Sequence, residues 1–208
     1  MPDTASPLVR MPAAERRTQI LHIALNVFSQ KGFNGTTTKE IAAAAGVTEA
    51  IIFRHFPTKQ ALYQAVLESE MGCTGLQKWM AEARSCMDRE DDEGLFRAIA
   101  TSVVEAYRSD ARLERVFLFA ALEGHEQGLA HFRSFSLPIY EMLREYITKR
   151  QRAGALADMN AGIILAAISG MAQRYAMLTQ MFGFQVDSTD QEVVGAFTRI
   201  LMNGIQAK

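Results

Sequence analysis

The sequence predicts an all-α protein, and three observations predict it. Apolar residues recur at three- and four-residue spacing along most of the 208 residues. No stretch sustains the two-residue alternation of a half-buried strand. The five prolines gather at the N-terminus and at two places that read as helix starts. With 49% hydrophobic and 22% charged residues, the chain can bury a sizeable core, which excludes a disordered or fibrous bulk.

The elements follow in order. Residues 15–31 place Ile20, Ile23, Ala24, Val27 and Phe28 on one face, and Gly32 suits a left-handed cap. Asn34-Gly35 is flanked by that stripe and a threonine run, so it reads as an interhelical loop and not a hairpin. Thr37 or Thr38 caps a short helix through Ala45, and Gly46 stops it. Thr48 caps the next, which runs to His55 or Phe56; Pro57 ends it, because the residue before proline avoids helical geometry. Thr58 then caps a long helix from Lys59. Past Gly72 and Gly75, amphipathic helices are predicted over 76–87, 93–108, 111–123 and 138–152, with Pro138 at a first helical position and Gly154 closing. Helices over 158–182 and 189–206 finish the chain. Residues 1–14 read as a mobile arm.

Composition excludes several function classes. The longest uncharged apolar run, residues 161–172, falls short of the ~20 residues a membrane span needs, so no transmembrane segment is expected. The start has neither the basic nor the apolar part of a secretory signal, which predicts a cytoplasmic protein. Cys73 and Cys86 are too few for a disulfide framework and read as reduced thiols. The sequon at Asn34 therefore carries no weight. His22, His55, His125 and His131 do not converge on one helical face, so no metal site is expected. No glycine-rich phosphate loop and no activated nucleophile is recognisable, so neither enzyme activity nor a cofactor is predicted.

Net charge is −1, which argues against a protein that coats nucleic acid through overall positive charge. The charge is unevenly placed. Residues 10–60 hold seven basic side chains (Arg10, Arg16, Arg17, Lys31, Lys39, Arg54, Lys59) against three acidic ones (Glu15, Glu40, Glu49), a local balance of +4 that leaves −5 for the remainder. A small DNA-contacting head on an acidic body has this distribution.

The two short helices around Gly46 form a helix-turn-helix pattern. Ile41, Ala42, Ala45, Val47, Ile52 and Phe56 are spaced to pack it against the first helix. The wording is more specific: Phe33, Thr37-Thr38, Ile41-Ala42, Ala45-Gly46-Val47-Thr48, Phe53-Arg54-His55-Phe56 and Lys59. In these residues the chain resembles the DNA-binding head of the tetracycline-repressor-like (TetR) family of bacterial regulators. The resemblance covers residues 15–70 by motif, and the rest only by length and helical pattern. It implies a three-helix head over 15–57, linked by a long helix to an all-helical ligand-binding and dimerisation body over 58–208. A ligand-responsive repressor bound to a palindromic double-stranded operator as a homodimer is the function so implied. The alternative is an all-helical small-molecule-binding protein or enzyme without DNA function.

The helix from Thr48 would enter a major groove by its N-terminal end, where Glu49, Ala50 and Ile51 lie nearest base edges. Glu49 can accept from cytosine or serve only as a helix N-terminal charge, and Ala50 and Ile51 can touch thymine methyls. Arg54 suits guanine or a phosphate. Thr37, Thr38 and Lys59 suit phosphate, and Lys39 and Thr48 complete the DNA-binding candidates. Phe53 and His55 match family positions that touch the DNA backbone. The chain departs from the family at Ala50, where glycine or proline is common, and at Phe53, where tyrosine is common; Phe53 has no hydroxyl for a phosphate.

In the body, Gly162, Ala166 and Gly170 recur at four-residue intervals and admit a close helix, while Val193, Phe197 and Leu201 share a side of the last helix. The family implies that these two helices make the dimer. Trp79, Phe96, Val103, Tyr107, Phe117, Phe132, Phe135, Leu143 and Tyr175 are either plain core or the lining of a pocket for an apolar or aromatic effector.

Overall fold

A computed structural model describes residues 12–71 and 74–205. The expectations for residues 1–11, Gly72, Cys73 and Gln206 lie outside the described residues. Among the described residues there are ten helices and no β-sheet: α1 (Ala13–Lys31), α2 (Thr38–Ala44), α3 (Glu49–His55), α4 (Lys59–Met71), α5 (Thr74–Asp88), α6 (Asp92–Asp110), α7 (Arg112–Glu123), α8 (Glu126–Arg152), α9 (Ala161–Gln180) and α10 (Asp190–Ile205).

Two boundaries correct the sequence reading. Ala13 and Ala14 belong to the first turn of α1, which begins after Pro12, and not to an arm. Pro138 lies inside α8, a helix of 27 residues, and not at its start. The start is set instead by Gly124, which ends α7 in the left-handed region (φ 62°), and by His125, whose Nδ1 accepts the Gly128 N–H at 3.2 Å. A proline reads as a first helical residue because its missing N–H costs nothing there. Inside a helix it removes one hydrogen bond, which α8 tolerates with packed turns on both sides that bury Gly128, Leu143, Tyr146 and Ile147. The α9 start shifts from 158 to Ala161, because Asn160 caps it by accepting the Gly162 N–H at 2.8 Å.

Two apolar cores result. The first joins Ile20, Leu25 and Phe28 of α1 to Ile41, Ile52, Phe56, Leu62 and Val66, and is closed by Val116 of α7. The second joins Leu95, Phe96, Ile99 and Tyr107 of α6 to Leu143 and Ile147 of α8, Ile164 and Ile168 of α9, and Leu201 of α10. Polar links from the buried Tyr146–Asp92 bond out to an exposed ion pair tie this second core together. Tyr146 Oη donates to Asp92 Oδ1 (2.6 Å) and Arg150 Nε to the same oxygen (2.9 Å), while Arg108 holds Asp190 with two nitrogens at 2.7 and 2.6 Å. By length and composition alone α9 is long and apolar enough to cross a membrane, which the shorter run 161–172 is not. Here Ile164, Leu165, Ile168, Ala172, Tyr175 and Ala176 are buried in the second core, so one face of α9 is already covered by protein.

Candidate nucleic-acid interface

The short helices that carry the site cannot hold themselves together by backbone alone, since seven residues make only about two turns. Their order comes from the apolar side toward α1: Ile41, Ala42, Ala45, Ile52 and Phe56 are buried and Val47 packs beside them. Gly46 sits at φ 64°, where a Cβ would strain the backbone although nothing crowds it. Thr37 begins α2 with a capping box: its hydroxyl accepts the Glu40 N–H at 3.2 Å, and Glu40 accepts the Thr37 N–H at 3.0 Å. Lys31 donates to the same carboxylate at 2.6 Å, and with the two Thr37 bonds this holds Glu40 down at about 2. The N-terminus of α2 thus already carries a carboxylate.

The opposite face of α3 is open. Thr48, Ala50, Phe53 and Arg54 are exposed, with Phe53 45% accessible, and Ile51, Glu49 and His55 are half-buried. Thr48 makes no side-chain cap bond, and while its carbonyl accepts the Ile51 N–H at 3.0 Å, its hydroxyl and the Glu49 and Ala50 N–H groups have no partner among the described residues. Lys39 is exposed too, and neither Lys39 nor Arg54 forms an ion pair among the described residues.

Two predicted contacts are spoken for. Thr38 donates its hydroxyl to the Glu49 carboxylate, which joins the start of α2 to the start of α3 and engages the acid that sequence offered to cytosine. Lys59 does not reach outward: its Nζ donates to the Phe33 and Thr36 carbonyls at 2.9 and 3.0 Å and lies 4.1 Å from the Phe33 ring centroid. In this structure Lys59, expected at a phosphate, holds the α1–α2 loop. A lysine just past Pro57 looks like a free cation in sequence because the carbonyls it meets lie 23 and 26 residues away. Sequence reasoning also missed Arg115 and Glu123, both on α7. Arg115 Nε donates to the Ser29 carbonyl at 2.8 Å, and Glu123 accepts from the loop that leads into α2.

The body candidates divide. Phe96, Tyr107, Leu143 and Tyr175 are buried in the second core, with Trp79 and Val103 packed against it. Phe117 packs on the head core instead and meets Phe132 edge-on at 5.1 Å, while Phe135 is half-buried. None of the nine lines the cleft of about 390 Å³ between α4 and α8, which is walled by Tyr63, Gln64, Leu67, Gln127, Ala130, His131 and Ser134. The Trp79 indole N–H is buried with no partner among the described residues. Of the dimer candidates, Ala166 and Gly170 are exposed and Gly162 is half-buried beside the Tyr140 hydroxyl, whereas Leu201 is buried in the body's own core and Val193 and Phe197 lean on it.

A helix-turn-helix with an open recognition face, set on an all-helical body, defines the class of helical DNA-binding regulators. Residues 20–66 match the family described as bacterial regulatory proteins, tetR family. The chain is 31% identical over 154 residues to the HTH-type transcriptional regulator TtgR of Pseudomonas putida, across 74% of this chain and 65% of that one. It is 27% identical over 191 residues to the HTH-type transcriptional regulator AcrR of Shigella flexneri, across 87% of each. The ketosteroid transcriptional regulator KstR2 of Mycobacterium tuberculosis has the same fold, with a TM-score of 0.65, 19% identity and 93% of this chain and 96% of that one aligned. Residues 20–66 thus carry the head segment of the tetR family of bacterial regulatory proteins, the family that the wording of the helix-turn-helix resembles, and the rest of the chain is similar to regulators of that kind over most of its length. These relatives are named as transcriptional regulators.

Proposed function

We propose that the protein is a cytoplasmic, ligand-responsive repressor that binds a palindromic operator as a homodimer. The observation that carries this reading is the α3 face: Thr48, Ala50, Phe53 and Arg54 stand exposed on a head whose other side is fully packed. Thr48 and the free N–H groups behind it suit a phosphate, Ala50 and Ile51 suit thymine methyls, and Arg54 suits guanine. Phe53 and His55 flank the DNA backbone, with Thr37, Thr38 and Lys39 at the edge.

A two-fold operator needs a two-fold protein. The outer face of α9 and α10 supplies an apolar surface for it: Ile163 and Ile200 are 60% and 62% accessible, and Ala166 and Gly170 lie exposed on the first of these helices. The effector is a small apolar or aromatic molecule. Support comes from the orphan indole N–H of Trp79, since an unpaired buried donor is costly and an acceptor on a ligand satisfies it. Release requires that the effector prefer the conformation that does not fit DNA. Selection of random duplexes with the full chain tests the reading: an inverted repeat should be enriched, and enrichment of none overturns it.

A further inference from the structure

We propose that Glu123, the last residue of α7, is a positioning residue for DNA binding: its carboxylate clamps the α1–α2 loop and so sets where α2 and α3 stand on the body. The inference rests on the DNA-binding reading above and adds a residue outside the helix-turn-helix to it. Glu123 Oε2 accepts the N–H of Phe33 and of Asn34, each at 3.1 Å, and Oε1 also reaches the Asn34 N–H at 3.3 Å. The same loop is held from two further sides. Lys59 of α4 takes its carbonyls at Phe33 and Thr36, and the His125 ring at the start of α8 stacks on the Phe33 ring at 4.1 Å. Donors, acceptors and ring of one short loop are thus each engaged by a different helix.

The position is unfavourable for an acid by helix physics alone. A carboxylate at the C-terminal end of a helix faces carbonyl groups and the negative end of the macrodipole. The two loop N–H groups compensate, and a local conflict offset by a distant contact marks a residue kept for something other than its own helix. Gly32 fits the same arrangement. A Cβ there would collide with the Glu123 carboxylate and lie 3.0 Å from the Phe119 ring, so the chain is bare where α7 approaches. Because Glu123 is followed at once by Gly124 and the His125 cap of α8, a shift of the α7–α8 corner moves the loop, and α2 follows at the sixth residue after Gly32.

The test measures affinity of the full-length protein for the duplex it selects, by fluorescence anisotropy well below the unfolding temperature, with a scrambled duplex as control. Glu123→Ala should weaken the selected duplex about tenfold, as loss of a charged hydrogen-bond partner that fixes geometry does. Binding to scrambled DNA and the salt dependence should stay as in the wild type, since no phosphate contact is removed. Glu123→Gln, which keeps an acceptor oxygen, should fall in between, at about threefold. A purely structural role would lower the unfolding temperature and leave the affinity of the folded protein unchanged, and that result overturns the proposal. Wild-type protein that prefers no duplex overturns the DNA-binding reading as well, whereas wild-type binding matched by both variants overturns Glu123 alone.

Discussion

Gly32→Ala offers the sharpest view of how the head is joined to the body. Gly32 ends α1 at φ 71° and ψ −177°, a region essentially reserved for glycine, so an alanine there costs about 1–3 kcal/mol of backbone strain. Its Cβ must also displace the Glu123 carboxylate, removing the bonds to the Phe33 and Asn34 N–H groups. Hydrogen bonds to a charged group are worth about 1.5–3 kcal/mol, and the lower end applies because Asn34 is exposed. The two contributions give about 3 kcal/mol, which for a chain of this size lowers the melting temperature by about 6–12 °C. Far-UV circular dichroism on heating reads this directly. The reasoning is tested harder by adding Glu123→Ala, which alone should cost about 1.5 kcal/mol. With the carboxylate gone there is nothing left to displace, so the double variant should be no worse than Gly32→Ala by more than ~0.5 kcal/mol. Costs that simply add, or a Gly32→Ala protein as stable as the wild type, would refute the contact.

Two other outcomes follow from the same geometry. Gly170→Glu places a carboxylate on the exposed face of α9 where no atom crowds a Cβ; it should leave the monomer folded but reduce the mass in solution to one chain and abolish operator binding, and a variant that stays dimeric moves the interface elsewhere. His125 is held below the usual histidine value of 6.5, first by burial and then by the Lys59 charge, with Glu123 opposing. The unfolded chain therefore binds the proton more readily, so stability is complete above pH 6.5 and declines as pH falls through that value toward the folded one. Protonation also removes the Nδ1 lone pair that caps α8. Stability against pH, measured by urea unfolding, should flatten as pH falls below 6.5 in His125→Asn, which keeps a capping oxygen and does not titrate; an unchanged slope would mean other groups carry the effect. Glu40 acts in a separate window, since its lowered value places its loss between 4.5 and about 2.

The parts of the fold that sequence revealed are those governed by neighbours along the chain. The α2 capping box, the Gly46 turn, the Thr58 hydroxyl that accepts the Ala61 N–H at 3.0 Å, and the apolar stripe of α1 all depend on residues within a few positions. Pro138 misled because proline's local preference for a first turn was outweighed by the His125 cap and by packing on both sides. The contacts of Lys59, Arg115 and Glu123 were not legible for a different reason: their partners lie 23 to 90 residues away, and no periodicity encodes such a pairing. In the body, an aromatic at helical spacing looks the same whether it fills a core, as Phe96 does, or meets the head side, as Phe117 does. The only local sign of the Glu123 contact was an acid at the wrong end of a helix.

The central claim is that α3 reads DNA from the face left open by the head core, and a salt titration with the selected and a scrambled duplex tests it most directly. Both affinities should fall together by roughly 10³–10⁵ between 50 and 200 mM salt if about 6–10 phosphates are contacted, while the selected duplex stays tighter throughout. Arg54→Ala should cost about 1–3 kcal/mol on the selected duplex and little on the scrambled one if Arg54 holds a guanine. Equal affinity for the two duplexes at every salt concentration, unchanged by Arg54→Ala, would contradict the account.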